Sequence, residues 1–449
     1  MSDLFDTKAL TDRAGALIAA AKRAGADAAD VVVVRGLSIS MELREGAVES
    51  SESAEGDDLG LRVFVGRRSA SVSSNDPREN LEALAERAVA IARVAPEDPY
   101  ARLADAADLA KTWPELDLLD PTLPDVAMLE GFARTAEQAA LAVKGVTKSG
   151  GASAGAGLGG MVLVTSNGFV GASLGSSTSV SMMAIAGEGT GMERDYDYAS
   201  VRHLADLGDV AHIGRVAGER AVRRLNPRKV DSRKVPVIFD ARSAASFPGH
   251  VAGAANGQSV ARKTSFLRDK LGQRLFKPGV SVIDDPLRPR GLRSRPFDGE
   301  GIACRRFALI DDGVLTGWFL DTATAAELGM KSGGHASRGT GGPPSPGSSN
   351  LHLAAGTISP EEMIASVKDG LYVTDLIGQG VNMVTGDYSR GCSGYWIENG
   401  ELAYPVAEIT IAGHLLDIFA SLTPANDLTF KHGVNAPTIM VEGLTVAGR

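Results

Sequence analysis

The chain has 449 residues, and its 44% hydrophobic and 22% charged content is typical of a globular protein. Its formal net charge of −9 argues against a general nucleic-acid binder, which would present a basic surface. No apolar run approaches the ~20 residues that a membrane-spanning helix needs, so we expect no membrane association.

The N-terminal half alternates helical and strand patterns. Apolar residues at three- and four-residue spacing predict helices over 9–24, 77–91, 126–143 and 207–224. The second of these helices is expected to begin at Pro77 with Asp76 as its N-cap. β-Branched runs and alternating patterns predict strands over 31–34, 37–43, 59–65, 69–73, 161–165 and 180–185. Residues 95–124, rich in proline and acids, are interpreted as an extended connector.

Two local patterns in this half resemble functional sites. Residues 155–160 fit the three-glycine dinucleotide fingerprint, but a strand follows them, so no helix N-terminus would be there to hold a phosphate. Asp195 and Asp197 alternate with Tyr196 and Tyr198 on a predicted strand. A metal role for the two carboxylates stays open, and a solvated sheet edge is the favoured interpretation.

A break at residues 226–229 separates an N-terminal lobe, residues 1–230, from a C-terminal lobe, residues 231–449. In the second lobe a helix is predicted over 241–257, and strands or loop-strand segments over 260–267 and 279–283. Ser359 and Pro360 are the N-cap and first residue of a further helix. Residues 332–350, rich in Gly, Ser and Pro, predict a mobile surface loop. The fold class is therefore α+β, with an N-terminal α/β-sandwich-like lobe followed by a β-rich lobe.

Residues 370–413 carry the strongest strand signal. Three runs, 371–377, 394–397 and 406–411, are rich in β-branched or aromatic residues, and Asn399-Gly400 suits a two-residue hairpin turn. The polar segment 387–391 is expected to connect two strands, where a site could form. The alternative is that its glycines only serve tight turns.

The sequence shows no complete catalytic motif. No two of the seven histidines stand at metal-pair spacing, and no Cys-x-x-Cys, Walker or Gly-x-Ser-x-Gly motif occurs. His250, flanked by glycines, is the most suggestive histidine, although a packing or capping role is favoured for it. Arg390 could lower the pKa of the Cys392 thiol, which leaves Cys392 as an alternative nucleophile. Cys304 and Cys392 make no disulfide framework, and residues 1–10 lack signal-peptide features, so we expect a cytoplasmic protein.

Several motifs resemble the TldD/PmbA family, and within it the PmbA (TldE) branch, essentially from end to end. The most specific are Gly378-Gln-Gly-Val381, Gly386-Asp-Tyr-Ser-Arg-Gly391, Trp396-Ile-Glu-Asn-Gly-Glu401 and Pro405-Val-Ala-Glu-Ile-Thr-Ile-Ala-Gly413. Others are Gly249-His250-x-x-Gly-Ala254, Pro296-Phe-Asp-x-Glu-Gly301 and Lys331-Ser-x-Gly-His335.

The resemblance implies a cytoplasmic metallopeptidase system that degrades or matures small, unfolded peptides. In such a system the TldD-like subunit carries zinc on a His-Glu-x-x-x-His helix with a downstream Cys. Here Ala245 and Ser246 occupy the first two motif positions, and only His250 remains. One imidazole cannot hold zinc tetrahedrally. The resemblance therefore points to the partner subunit, with no zinc of its own and a TldD-like partner that holds the metal.

The resulting expectation is a component of a peptidase complex that is not catalytic alone and that forms a homodimer when isolated. The candidates for contacting a peptide are Asp387, Tyr388, Ser389, Arg390 and His250. Two alternatives stay open: a self-sufficient peptidase using Cys392 or an unrecognised metal site, and a non-enzymatic module that adds a peptide strand to an exposed sheet edge.

Overall fold

The computed structural model of the chain describes residues 6–448. Residues 1–5 and Arg449 lie outside this range. The first five residues belong to the segment 1–10, for which the sequence predicts no signal peptide. Within it, no helix is both long enough and apolar enough to cross a bilayer.

The described residues form helices and strands as follows. The α-helices are α1 Thr7–Ala24, α2 Leu81–Val94, α3 Val126–Leu141, α4 Val210–Arg223, α5 Ala241–Ala244, α6 Ser246–Ala254, α7 Gly257–Ala261, α8 Thr322–Glu327, α9 Pro360–Ala365 and α10 Leu415–Ser421. The first strands are β1 Ala28–Arg44, β2 Ala47–Val65, β3 Arg68–Ser74, β4 Val146–Thr165, β5 Val170–Ala186, β6 Glu193–Val201, β7 Arg233–Phe239, β8 Val282–Asp284, β9 Phe307–Asp311 and β10 Val314–Leu315. The remaining strands are β11 Ala336–Ser337, β12 Ser345–Pro346, β13 Leu351–Leu353, β14 Asp369–Ile377, β15 Asp387–Glu398, β16 Glu401–His414, β17 Thr423–Pro424, β18 Val434–Asn435 and β19 Ile439–Ala447.

The N-terminal lobe is one antiparallel sheet in the order β3-β2-β1-β4-β5-β6. Side chains alternate along β1, so Val31, Val33, Met41 and Leu43 share a face. Helices α1 and α2 cover one end of this face, and α3 and α4 cover the other. The strand predicted over 161–165 is confirmed as the end of β4, but β4 begins at Val146 and so includes the glycine-rich run 155–160 as well.

The cap predicted for the second helix was wrong. Helix α2 begins at Leu81, and the Asn80 side chain accepts hydrogen bonds from the next turn. Asp76 instead closes a turn by accepting from the Arg78 N–H at 2.8 Å. The cap of α9 is confirmed, with Ser359 and Glu362 forming a reciprocal capping box.

The other face of the first sheet packs against the C-terminal lobe through a buried ion cluster. Asp30 and Arg62 project from paired positions on β1 and β2, and Arg338 reaches them from the C-terminal lobe. The Arg338 side chain is only 1% exposed. Residues 332–350 are therefore not a free surface loop, because a backbone hairpin of β11 and β12 and this buried guanidinium anchor them.

The C-terminal lobe is built around a closed barrel. Strands β16-β15-β14-β7-β19 pair in that order, and β16 also pairs with β19. The barrel encloses Phe239, Phe247, Tyr388 and Trp396. A smaller sheet, β10-β9-β8-β13-β18, packs beside it. The α+β fold class, with a β-rich second part, is confirmed.

Three local predictions in this lobe need correction. Residues 387–391 do not connect two strands but form the first part of β15. The predicted helix over 241–257 is broken into α5, α6 and the start of α7. Residues 260–267 end α7 and continue without a strand. The Asn399-Gly400 hairpin turn is confirmed, with φ of 52° and 85°.

Candidate functional site

The candidate site lies where α6 packs against the first part of β15. Helix α6 buries Phe247, Val251 and Ala254 at three- and four-residue spacing, and this apolar face packs onto the barrel core. His250 follows Phe247 by three residues and stands beside the same face. The local sequence thus places one imidazole at the boundary between the barrel core and the surface.

His250 and Tyr388 form the centre of this site. Their ring centroids are 6.1 Å apart, and Phe247 packs against Tyr388 at 5.8 Å. The Tyr388 side chain is fully buried. The His250 Nε2 and Tyr388 Oη atoms are both buried and have no hydrogen-bond partner among the described residues. Such orphaned polar atoms are uncommon in folded proteins and mark places where a ligand or water could bond.

Electrostatics keep both rings neutral. Burial, and next the charge of Arg390, lower the pKa of His250 to about 4. Burial also raises the pKa of Tyr388 above its ordinary value. Near neutral pH the site therefore presents a neutral imidazole, a phenol and a guanidinium. These groups can donate and accept hydrogen bonds to a ligand, but an imidazole of such low pKa is a weak general base.

The five candidate residues do not all converge. Alternation along β15 places Tyr388 and Arg390 on one face and Asp387 and Ser389 on the other, where both are exposed. The Asp387 carboxylate accepts from the Thr385 hydroxyl at 2.6 Å. The structure thus brings His250, Tyr388 and Arg390 together and separates Asp387 and Ser389 from them.

The backbone of this strand is paired on both sides. One side bonds to β16. On the other, the Ser389 N–H donates to Gly380 O at 2.6 Å, and the Asn382 N–H donates to Asp387 O at 2.9 Å. A Cβ at Gly380 would lie 1.4 Å from Ser389 O, so only glycine allows this approach. A peptide strand could not add here unless residues 380–382 moved away.

Cys392 does not have the environment of a nucleophile. Its side chain is 1% exposed within the barrel core. Burial, and next the charge of Asp375, raise the pKa of the Cys392 thiol to about 12. Arg390 therefore does not activate this thiol, and the alternative of a Cys392-dependent peptidase has no support in the geometry.

The residues present do not fit a resident zinc ion. Over residues 6–448, no three His, Cys, Asp or Glu side chains come together as a metal site would require. Ala245 stands between α5 and α6, and the Ser246 hydroxyl donates to Ser243 O at 2.8 Å. His250 is thus the one imidazole on this helix, and a tetrahedral site needs three or four ligands.

Other motif residues stabilise the interior of the C-terminal lobe. Asp298 accepts hydrogen bonds from the backbone N–H groups of Glu300, Ile302 and Ala336. His335 packs between Phe307 and Phe319, at 5.0 and 5.1 Å between centroids. The residues of these motifs therefore lie in the interior of the fold and not at the α6–β15 site.

The solvated-edge interpretation of residues 195–198 was wrong for Asp195. Its side chain is buried and pairs with Arg242 at 2.8 Å and with Arg224 at 3.1 Å. Asp195 and Asp197 also line a polar cavity between the lobes, together with Asp240 and Tyr372. Sequence reasoning missed this cavity. The available signal was the Asp240-Ala-Arg242 segment, which directly follows a predicted strand.

Comparison with known families accounts for nearly the whole chain. Family models for domain 1, the central domain and the C-terminal domain of PmbA/TldA metallopeptidases match residues 29–92, 117–225 and 232–448, respectively. The chain belongs to this metallopeptidase family.

Bacterial relatives match nearly the full length of the chain, and solved structures share its fold. The Metalloprotease PmbA of Escherichia coli O157:H7 is 38% identical over 428 residues, which cover 94% of this chain and 93% of the relative. A Metalloprotease PmbA homolog from Haemophilus influenzae is 36% identical over 95% of this chain and 94% of its own length. Among solved structures, a proposed modulator of DNA gyrase from Bacteroides thetaiotaomicron aligns with a TM-score of 0.90 at 29% identity, covering 99% of both chains. TldE from Thermococcus kodakarensis has the same fold, with a TM-score of 0.84 at 20% identity over 97% of this chain and 99% of that one.

Proposed function

We propose that this chain is the partner subunit of a two-subunit cytoplasmic metallopeptidase that acts on small or unfolded peptides. A TldD-like subunit would hold the zinc ion, and this chain would form walls of the substrate channel. The observation that supports the proposal is the composition of α6, which offers His250 but neither a second histidine nor a glutamate. The metalloprotease names of its full-length relatives support the reaction class.

Within this proposal the α6–β15 site contacts the peptide rather than cleaving it. Arg390 supplies a cation for a peptide carbonyl or carboxylate, while the orphaned His250 Nε2 and Tyr388 Oη atoms supply further hydrogen bonds. Asp387 and Ser389 would meet only a peptide segment that reaches the opposite face of β15. Because the β15 backbone is paired on both sides, these contacts are made by side chains.

Reconstitution tests the proposal. The purified chain should carry no stoichiometric zinc by elemental analysis and should not cleave an unfolded peptide, whereas adding it to a TldD-like subunit should raise that subunit's activity. Arg390→Gln should lower the reconstituted activity. Arg215→Gln, a matched change of an arginine on α4 that pairs with Asp209, should leave it unchanged. The proposal would be overturned by one tightly held zinc per chain, or by a TldD-like subunit whose activity is the same with and without this chain.

Assembly provides an independent check. The isolated chain should form a homodimer, since related subunits share a surface and two-fold pairing is the simplest closed arrangement. A lasting interface needs about 1,000 Å² of buried area or more. Light scattering that shows only monomers at micromolar concentration would contradict the prediction that the isolated chain forms a homodimer.

A further inference from the structure

A polar cavity of about 330 Å³ lies between the two lobes, and neither His250, Tyr388 nor Arg390 lines it. Its walls come from β6 and α4 of the first lobe, and from the start of α5, β14 and the segment 427–438 of the second. Its size is at the lower end of ordinary small-molecule sites.

Two ion pairs form part of the wall. Arg242 bonds to Asp195 at 2.8 Å, and Arg220 bonds to Asp197 at 2.9 Å. Each of these cations therefore already has its counter-charge. The Arg242 pair joins the two lobes, the Arg220 pair lies within the first lobe, and neither cation has much charge left for a ligand.

Two further carboxylates lack such compensation. Asp427 accepts from the Thr438 N–H and hydroxyl, both at 2.8 Å, and no described cation lies within ion-pair distance of it. Asp240 accepts from the Ser243 N–H at 2.7 Å, and its nearest cation, Arg242 at 4.0 Å, is engaged by Asp195. Burial raises the pKa of Asp240, as expected for a carboxylate short of positive charge.

The same end of the cavity holds two hydroxyl groups. Burial, and next the charges of Asp240 and Asp427, raise the pKa of Tyr372, while the charges of Arg223 and Arg220 lower it, so the phenol lies within electrostatic reach of both carboxylates and both guanidinium groups. The Thr374 hydroxyl lines the cavity and is buried, with no hydrogen-bond partner in the described chain. This end thus has carboxylate oxygens with spare acceptor capacity and a hydroxyl without a partner, and guanidinium groups lie within electrostatic reach of it.

The opposite charge is found on two exposed side chains of the lining. Lys431 is exposed, and so is Arg223, which stacks over the Tyr395 ring at 5.2 Å. Over residues 6–448, neither has a carboxylate within ion-pair distance. The cavity lining therefore combines two carboxylates that are short of positive charge with two exposed cations that have no ion-pair partner among the described residues.

We propose that this cavity binds a small zwitterion, an α-amino acid or short peptide with free termini, whose ammonium contacts Asp240 and Asp427 and whose carboxylate contacts Arg223 and Lys431. A bare anion would leave the two carboxylates uncompensated. A divalent cation would find too few ligands, since Ca²⁺ takes six to eight oxygens. This site goes beyond the proposed function and does not depend on the partner subunit.

Calorimetry on the isolated full chain tests the site with Ala-Ala-Ala as the probe. The free tripeptide should bind with a Kd of about 1 mM or tighter. The N-acetylated and the C-amidated forms should each bind about tenfold more weakly, since each loses one charge-assisted contact. Asp427→Asn and Lys431→Gln should weaken binding of the free tripeptide by a similar factor. Lys229→Gln removes an exposed lysine outside the cavity and is the matched control.

Each other outcome counts against the site. No binding of the free tripeptide, equal binding of its blocked forms, or equal binding of inorganic phosphate would overturn the zwitterion assignment. If Asp427→Asn and Lys431→Gln both bind the free tripeptide as tightly as the wild type does, the tripeptide does not bind in this cavity. The asparagine of Asp427→Asn can still accept a hydrogen bond from the Thr438 N–H. If this variant nevertheless fails to fold, binding by Lys431→Gln tests the location of the site, because Lys431 is exposed and its substitution should not affect folding. Reconstituted peptidase activity is a separate readout, so failure here leaves the proposed function testable.

Discussion

Asp30→Asn should be among the most destabilising single substitutions at the boundary between the lobes. The Asp30 side chain is 2% exposed and accepts a hydrogen bond from Arg62 Nε at 2.9 Å and another from Arg338. Burial alone would raise the pKa of Asp30, but the charges of Arg62 and Arg338 lower it below its ordinary value. The carboxylate is therefore ionised and balances two buried guanidinium groups.

The magnitude follows from what the substitution leaves behind. Without the Asp30 carboxylate, the remaining counter-charge is that of Glu300, 4.0 Å from Arg62, and burial raises the pKa of Glu300 to about 7. Breaking a buried pair by removing one partner costs about 3–5 kcal/mol, because the other charge stays buried without compensation. The asparagine side chain would still fill the space, so the loss is electrostatic rather than a cavity effect.

Urea unfolding followed by circular dichroism measures the effect. Asp12→Asn is the matched control, because Asp12 forms an exposed pair with Lys8 and should change the free energy of unfolding by less than about 1 kcal/mol. Proteolysis within residues 332–350 should also accelerate in Asp30→Asn, since Arg338 anchors that segment. A change no larger than that of the control would refute the reasoning.

Two further predictions concern His250 and Glu300. His250→Ala should lower the free energy of unfolding by about 1–3 kcal/mol, through lost packing against Phe247 and Tyr388. It should leave assembly in place and should lower reconstituted activity without abolishing it, because His250 is one of three residues that contact the peptide in the proposed function. A well-folded His250→Ala protein whose complex is inactive would contradict this. Burial, and next the charge of Asp298, raise the pKa of Glu300 from 4.5 to about 7. The folded state then holds a proton that the unfolded state releases, so the contribution of Glu300 to stability is full below about pH 4.5 and is lost as the pH rises to about 7. Unfolding of the wild type and of Glu300→Gln across this range should show a wild-type stability that falls relative to the variant; parallel curves would show that Glu300 does not titrate there.

Local patterns predicted much of the secondary structure but not how residues meet across the chain. The capping box at Ser359 and the turn at Asn399-Gly400 depend on neighbouring residues alone, and both were predicted. Asp76 failed as a cap because Asn80, four residues later, offered a competing one. Composition marked residues 332–350 as a loop, but it could not show that Arg338 would cross to Asp30, 308 positions away in the chain.

The candidate site divides in the same way. Residue identities along the chain were enough to predict the α+β class, the family motifs and the absence of a second histidine and a glutamate beside His250, since they decide which ligands a helix can offer. The folded structure was needed to show that Tyr388 and Arg390 face His250 while Asp387 and Ser389 do not, because strand alternation needs the true strand bounds. It also decided that Cys392 is buried and that Asp240, Asp427, Arg223 and Lys431 surround one cavity. Burial and unpaired charge depend on contacts between residues far apart in the chain, and no local pattern records those contacts.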